Sequence, residues 1–231
     1  MSAKSSPKKS DKPSAKQSSR ISSLRVPVGK RIDLDAWPTD STLGSDKESA
    51  IAELEVIKQR LDVLQARLYA EGRRSVLLVL QAPDAAGKDG TIRAILSGLN
   101  PAGVGVTSFK APGGRESQHD YLWRIHEACP PHGEVGVFNR SHYEDVLVVR
   151  VNDLVPADVW SRRYRHINEF ERILVDEGTM IVKCFLHVSL EEQRKRLQER
   201  IDNPEKQWKF RRGDLDDRAK WPQFRAAYEE M

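Results

Sequence analysis

Two short stretches carry the residues best suited to chemistry. The first is Ala82-Pro-Asp-Ala-Ala-Gly87-Lys88-Asp-Gly-Thr91, which follows an apolar run and opens a helical pattern. Its spacing is that of a phosphate-binding loop with two departures: Ala82 replaces the first glycine, and Asp89 replaces the usual serine or threonine. Neither change removes the physics. Backbone N–H groups from Ala85 to Asp89 can share one concavity at the positive end of a helix dipole, so Ala85, Ala86, Gly87, Asp89 and Gly90 are expected to cradle phosphate. Gly87 permits the tight turn, and Lys88 brings a point charge to a phosphate. The missing hydroxyl leaves a metal-ligand position that Asp84 or Asp89 can fill, a carboxylate being a hard oxygen donor suited to Mg²⁺. The competing reading is a glycine-containing turn with an incidental lysine. A strand before and a helix after weigh against it.

The second stretch is Glu134-Val-Gly-Val-Phe-Asn139-Arg140-Ser141-His142-Tyr143-Glu144-Asp145. Kinases with such loops carry a metal-holding carboxylate at the end of a neighbouring strand. Here Asn139 stands at that end and the carboxylates Glu144 and Asp145 follow one helical turn later. Arg140 is placed to neutralise charge on a transferring phosphoryl group. In the plainer alternative Asn139 caps the next helix, while Glu144 and Asp145 favour its first turn. His142 and Tyr143 read as packing or orienting residues, because phosphoryl transfer between phosphates has little need of a histidine base.

These stretches need a scaffold that brings strand ends together. Ser75 to Gln81 is a continuous apolar run of the kind found in strands buried on both faces. Val104 to Lys110, Glu134 to Phe138 and Met180 to His187 are further strand candidates. Helical stretches are expected at Gly90 to Leu99, Glu116 to Ala128, His142 to Val151, Val159 to Asp176 and Ser189 to Ile201. Before them, Ile51, Leu54, Ile57, Leu61, Leu64 and Leu68 recur at the spacing of an amphipathic helix that Gly72 ends. Alternating strands and helices imply an α/β domain with a mostly parallel sheet, and ligands in such sheets sit beyond the carboxyl ends of the strands.

From Arg194 onward the chain is rich in cations, among them Arg196, Lys206, Lys209, Arg211 and Arg218, with Trp208, Phe210 and Trp221 between them. Interspersed acids such as Glu191, Glu199, Asp214 and Asp217 argue against a nucleic-acid surface. A lid over phosphates fits better, with a solvated helix face as the bland alternative.

The 231 residues suffice for one domain, with 39% hydrophobic and 31% charged residues as in a soluble protein. The net charge of +4 comes from the first twenty residues, where Lys4, Lys8, Lys9, Lys12, Lys16 and Arg20 face only Asp11. Residues 1–30 are therefore expected to be a disordered basic tail, and residues 31–231 the folded domain. The longest aliphatic run, Val76 to Leu80, is far short of the ~20 apolar residues that span a bilayer. Cys129 and Cys184 have no metal-ligand spacing, which suits a reducing, cytoplasmic setting. No membrane partner is expected from so short an aliphatic run, and no nucleic-acid partner from a basicity confined to the tail.

The segments LQAPDAAGKDGTI, NPAGV, FKAP, HDYLWR, FNRSHYEDVLVVRV, INEFE, LHVSLEEQ and KQWKF, in this order, resemble the polyphosphate kinase 2 family from about Leu54 to the C-terminus. The resemblance implies a P-loop kinase-like three-layer α/β fold with a helical lid at about residues 200–222. It further implies Mg²⁺, with Mn²⁺ as a substitute, and transfer between inorganic polyphosphate and adenine nucleotides, guanine nucleotides being a further acceptor class. Asn139 in FNRSHYEDV looks like the subgroup that phosphorylates both AMP and ADP. Carried over by position, Asp84, Lys88, Asn139, Arg140 and Asp145 form the central site, with Asp84, Asp145 and Glu144 as metal ligands. Lys110, Arg115, Arg124, Lys206 and Lys209 are expected to contact phosphates or nucleotide. A homo-oligomer, a tetramer, is implied as well. The family's last strand and helix have no counterpart before Met231, so an uncovered sheet edge is expected. An ATP-dependent nucleoside monophosphate kinase and a non-catalytic polyanion-binding protein are the rival readings.

Overall fold

The structure, a computed structural model, describes residues 15–231. Helix α1 (Ala15–Leu24) lies inside the stretch whose composition predicts disorder, and Arg20 from it meets the Glu53 carboxylate at 3.0 Å. The expected tail is thus corrected over these ten residues. The ion pair ties this polar helix to α2 despite its low apolar content. The remainder of the expected tail's N-terminal part, residues 1–14, lies outside the described residues.

Helix α2 (Lys47–Glu71) starts on Asp46, whose side chain accepts from the Ser49 N–H, and ends on Gly72 in the left-handed conformation at φ 62°. Its sequence periodicity predicts a buried apolar face. Instead Ile51, Ile57 and Leu64 are exposed, and the buried side chain is Gln65. That carboxamide grips Asn100 twice, donating to its carbonyl at 2.7 Å and accepting from its N–H at 2.9 Å. The helix is held by this polar clasp rather than by the whole apolar stripe.

The sheet is four-stranded, wholly parallel and ordered β2-β3-β1-β4, from β1 (Ser75–Gln81), β2 (Val104–Ser108), β3 (Val135–Asn139) and β4 (Thr179–Phe185). Central β1 is the most buried, as its apolar run requires. Register pairs Leu80 with Asn139, so the two chemistry-bearing loops leave adjacent strands at the same end of the sheet. Leu77 and Val79 of β1 and Phe138 of β3 share one core with α5 (Glu144–Val151), α6 (Ala157–Asp176) and α9 (Trp221–Glu230). At the β4 edge Met180 and Val182 are exposed.

The connecting helices are α3 (Lys88–Leu96), α4 (Trp123–Glu127), α7 (Leu190–Asp202) and α8 (Gly213–Ala219). The helix expected over Glu116 to Ala128 is two pieces, a 3-10 turn at Glu116–Gln118 and then α4. Asp120 explains the break. Its carboxylate accepts from the Leu122 N–H and its carbonyl from Trp123, giving the backbone an alternative to a continuous helix. Among the described residues no helix is long and apolar enough to cross a membrane.

Candidate active site

The loop after β1 turns through Ala85 (φ 63°) and Gly87 (φ 104°), both left-handed, before α3 begins. Gly87 caps α3 with no side-chain hydrogen bond, which leaves the first amides of the helix for a ligand. Lys88 is 9% exposed and curls back to donate to the carbonyls of Ala82 (2.9 Å) and Pro83 (3.3 Å). Burial lowers its pKa, and the neighbouring Asp84 carboxylate opposes the shift. A side chain at Gly90 would meet open space, so that glycine is not required by packing.

Arg140 at the start of the second loop also has a left-handed backbone (φ 64°), a conformation disfavoured for a residue with a Cβ and found at functional sites. Its N–H donates to the Leu80 carbonyl, tying the loop to β1. Its guanidinium reaches Asp84 at 2.6 Å and stands 3.9 Å from Glu144. Burial resists ionisation of Asp84, but Arg140 and Lys88 outweigh it and hold the carboxyl below its ordinary range. Burial likewise opposes the Arg140 charge, while Glu144 and Asp84 more than restore it. Gln81 donates to Glu144 at 2.9 Å and fixes that carboxylate toward the same cluster. Asn139 donates to Asp89 at 2.9 Å, joining the ends of β3 and the first loop, and Lys209 approaches Asp89 at 3.9 Å.

Asp84, Lys88, Arg140 and Glu144 therefore converge, and Asp145 does not join them. It turns to the other flank of α5, where Arg163 donates to it at 2.9 Å and Arg124 lies 3.9 Å away. Successive residues on a helix point about 100° apart, so Glu144 and Asp145 cannot both face one ligand. Of the two adjacent carboxylates, it is Glu144 that shares Arg140 with Asp84, while Asp145, expected beside Asp84, is paired with Arg163. Burial pushes the Asp145 carboxyl up to about 6, only partly opposed by Arg163 and Arg124. Its Oδ2 is buried without a hydrogen-bond partner among the described residues, as is Nε of Arg124.

Beside Arg124 a cavity of about 470 Å³ opens at the end of β2, lined by Phe109, Lys110, Glu116 and Arg124 among others. Arg124 donates to the Lys110 carbonyl at 2.7 Å and to Glu116 at 3.2 Å. Arg115 instead stacks its guanidinium over Trp123 and does not line the cavity. Lys206 pairs with Glu199 of α7, away from the loop, which separates it from Lys209.

Several participants were not identified from sequence. Glu171 of α6 is buried and accepts from the Tyr143 hydroxyl (2.7 Å), from His142 Nε2 (3.2 Å) and from Lys183 (2.7 Å). His142 and Tyr143, expected to be packing or orienting residues, are both anchored on this carboxylate. Burial alone would raise the Glu171 pKa, but the bonds from His142, Lys183 and Tyr143 bring it down to about 2. Asp217, Trp221, Phe224 and Tyr228 line a smaller cleft with Asp84, Arg140 and Glu144. Nothing local in the sequence marks them, since they meet the loop only through the return of α8 and α9.

A strained glycine-and-lysine loop at the end of a central parallel strand, with an arginine and two carboxylates facing it, is the site of a P-loop phosphotransferase fold. The family described as Polyphosphate kinase 2 (PPK2) matches residues 44–231, and the chain belongs to it. Among its relatives, an AMP/ADP-polyphosphate phosphotransferase of Meiothermus ruber is 57% identical over 207 residues, covering 89% of this chain and 78% of the relative. An ADP-polyphosphate phosphotransferase of Rhodopseudomonas palustris is 47% identical over 220 residues, covering 90% and 76%. The crystal structure of polyphosphate kinase 2 from Arthrobacter aurescens TC1 superposes with a TM-score of 0.86 at 44% identity, covering 91% of this chain and 76% of that one.

Proposed function

We propose that this chain transfers the terminal phosphoryl group of inorganic polyphosphate to AMP and to ADP, reversibly. The observation that carries this is the convergence of Asp84, Lys88, Arg140 and Glu144 on the loop after β1, in a chain of this family. An oxygen of the acceptor's terminal phosphate attacks the end phosphorus of polyphosphate. One P–O bond forms, the bridging P–O bond breaks, and the electron pair leaves on the shortened polyphosphate. Little covalent chemistry falls to the protein, so positioning and charge stabilisation dominate. Lys88, the amides at the start of α3 and Arg140 face the equatorial oxygens, and Asn139 fixes Asp89 beside them.

The donor set fits a divalent cation. Among the described residues no group of three or more potential ligands forms a cage, but Mg²⁺ is commonly bound by one or two carboxylates together with substrate phosphates and water. Asp84 and Glu144 would hold Mg²⁺, or Mn²⁺ in its place, and the ion would neutralise charge between the phosphates. Asp145 serves instead by pairing with Arg163 and lying beside Arg124, which lines the cavity that takes the acceptor nucleotide together with Lys110. The segment from about residue 200 to 222 acts as the lid, with Lys209 approaching Asp89 at 3.9 Å. Adenine nucleotides, with guanine nucleotides as a second class, are the acceptors. The protein works in the cytoplasm as a homo-oligomer, a tetramer, for which the exposed apolar side chains of α2 supply a contact face.

The test is incubation with Mg²⁺, long-chain polyphosphate and AMP without ATP, with ADP and ATP followed by chromatography. ADP followed by ATP is expected, and Asp84→Asn should lower the rate roughly 10²- to 10³-fold with the fold intact. Turnover only with ATP as donor would replace this reading by a nucleoside monophosphate kinase. Binding that survives loss of Asp84 without any turnover would indicate a non-catalytic polyanion binder.

A further inference from the structure

Helix α7 lies along the outer side of the loop after β1. Gln193, 2% exposed, donates from Nε2 to the Asp84 carbonyl at 3.0 Å. Arg196 donates from Nη1 to the Ala86 carbonyl at 2.8 Å and, more weakly, to that of Ala85 at 3.4 Å. One helix thus takes three successive carbonyls of the loop. A trans planar peptide sets the N–H of the next residue opposite each carbonyl. Holding the carbonyls of Asp84 and Ala86 against α7 therefore aims the N–H groups of Ala85 and Gly87 away from it, toward the open side of the loop. The same bonds flank Ala85, whose left-handed backbone a residue with a Cβ would otherwise leave.

The brace has its own support. Arg218 of α8 donates to Gln193 Oε1 at 3.1 Å and to the Leu190 carbonyl at 2.7 Å. A guanidinium only donates, so the Gln193 oxygen must face Arg218, which leaves its NH₂ for the Asp84 carbonyl. Glu192 accepts from Arg196 Nε at 2.8 Å and aims that guanidinium at the loop. Its neighbour Arg194 pairs with Glu191 on the exposed face of α7. Arg196, which the sequence groups with the cations of the lid, therefore spends its charge on carbonyl oxygens behind the loop.

We propose that Gln193 and Arg196 are positioning residues that hold the loop after β1 in its phosphate-receiving shape without touching phosphate, with Arg218 coupling α8 to that shape through Gln193. The inference rests on the reading of this loop as the phosphate site.

Tripolyphosphate binding by calorimetry, steady-state kinetics with polyphosphate, and thermal midpoints would be measured for wild type, Gln193→Ala, Gln193→Glu, Arg196→Ala and Arg196→Lys. Gln193→Ala and Gln193→Glu, neither able to donate to the Asp84 carbonyl, should each weaken tripolyphosphate binding and raise KM for polyphosphate about tenfold, a misplaced loop being able to cost up to ~10²-fold. Arg196→Ala should do the same, and Arg196→Lys, which keeps a donor, should recover most of the loss. Lowered thermal midpoints with unchanged tripolyphosphate affinity and KM would overturn the proposal and leave both as packing residues. Should Gln193→Ala fail to fold, the Arg196→Ala and Arg196→Lys pair decides by the same criterion. A wild-type chain that binds tripolyphosphate but transfers nothing to AMP removes the proposed reaction and leaves this inference to the binding data. A wild-type chain that binds no tripolyphosphate overturns both.

Discussion

The loops after β1 and β3 leave neighbouring strands side by side, yet they are held by different means. The first is gripped through its backbone, with carbonyls of Asp84 to Ala86 taken by Gln193 and Arg196 from outside. The second is gripped through side chains, as His142 and Tyr143 converge on the buried carboxylate of Glu171. The difference follows from what each loop must offer. The first presents mainly backbone amides, so its carbonyls are free to be anchors. The second presents Arg140 and Glu144 as side chains, so the residues next to them are spent on fixing the turn from which they project.

The largest effect should come from cutting the side-chain anchor. Folding lowers the Glu171 carboxyl from an ordinary 4.5 to about 2, so its ionised form stabilises the fold. That stability is fully present above the unfolded value and is lost as pH falls toward the folded one. Glu171→Gln should therefore cost on the order of 3 kcal/mol at neutral pH, with the gap to wild type narrowing below about pH 4.5. Urea unfolding from pH 7 to pH 3.5 measures it. A gap that stayed constant over this range would assign the anchor to shape rather than charge.

Asp145 sharpens the contrast because its sign is reversed. Burial outweighs Arg163 and Arg124, and the carboxyl rises from 3.8 to about 6. The more distant Arg124 divides itself between Asp145, Glu116 and the Lys110 carbonyl, which explains why two arginines do not win. A raised carboxyl contributes stability that is complete below the unfolded pKa and lost as pH rises through the folded one. Relative to Asp145→Asn, wild type should lose about 2 kcal/mol between roughly pH 4 and pH 7. The same urea series read on this variant should slope opposite to the Glu171→Gln series. Parallel slopes would mean that Arg163 pairs with Asp145 more strongly than burial opposes it.

The parallel α/β order was legible because β1 is a bare apolar run and the loop after it keeps its glycine and lysine at fixed spacing from Ser75–Gln81. That Asp84, Lys88 and Arg140 come together at the strand ends was legible for the same reason, since each is tied to a strand end. The direction of Asp145 was not. A pair of adjacent acids at a helix start gives no sign of which one faces the ligand, and only the packing of α5 on α6 turns Asp145 toward Arg163. Gln193 was hidden in LEEQRKRLQER, where one buried amide is indistinguishable from its solvated neighbours until Arg218 returns from α8. The helix at Ala15–Leu24 was hidden because composition reports average solvation and not a particular contact such as that of Arg20 with Glu53.

The smallest effect probes the backbone anchor from its far end. Ser189 caps α7 by accepting from the Glu192 N–H at 3.1 Å, and the Glu192 carboxylate holds Arg196. Ser189→Ala should cost about 1 kcal/mol of stability through the lost cap. Most of that loss is fraying of the first turn, which Arg218 partly offsets through its bond to the Leu190 carbonyl. Because Arg196 lies one to two turns further on, its grip on Ala86 should loosen only slightly, raising KM for polyphosphate about twofold where a direct loss of the grip would reach tenfold or more. Thermal melting together with KM separates the two consequences. A stability loss with no change in KM would show that the loop's shape does not depend on the cap. A KM rise matching that of Arg196→Ala would make the capped first turn, rather than the guanidinium by itself, the element on which the loop's shape depends.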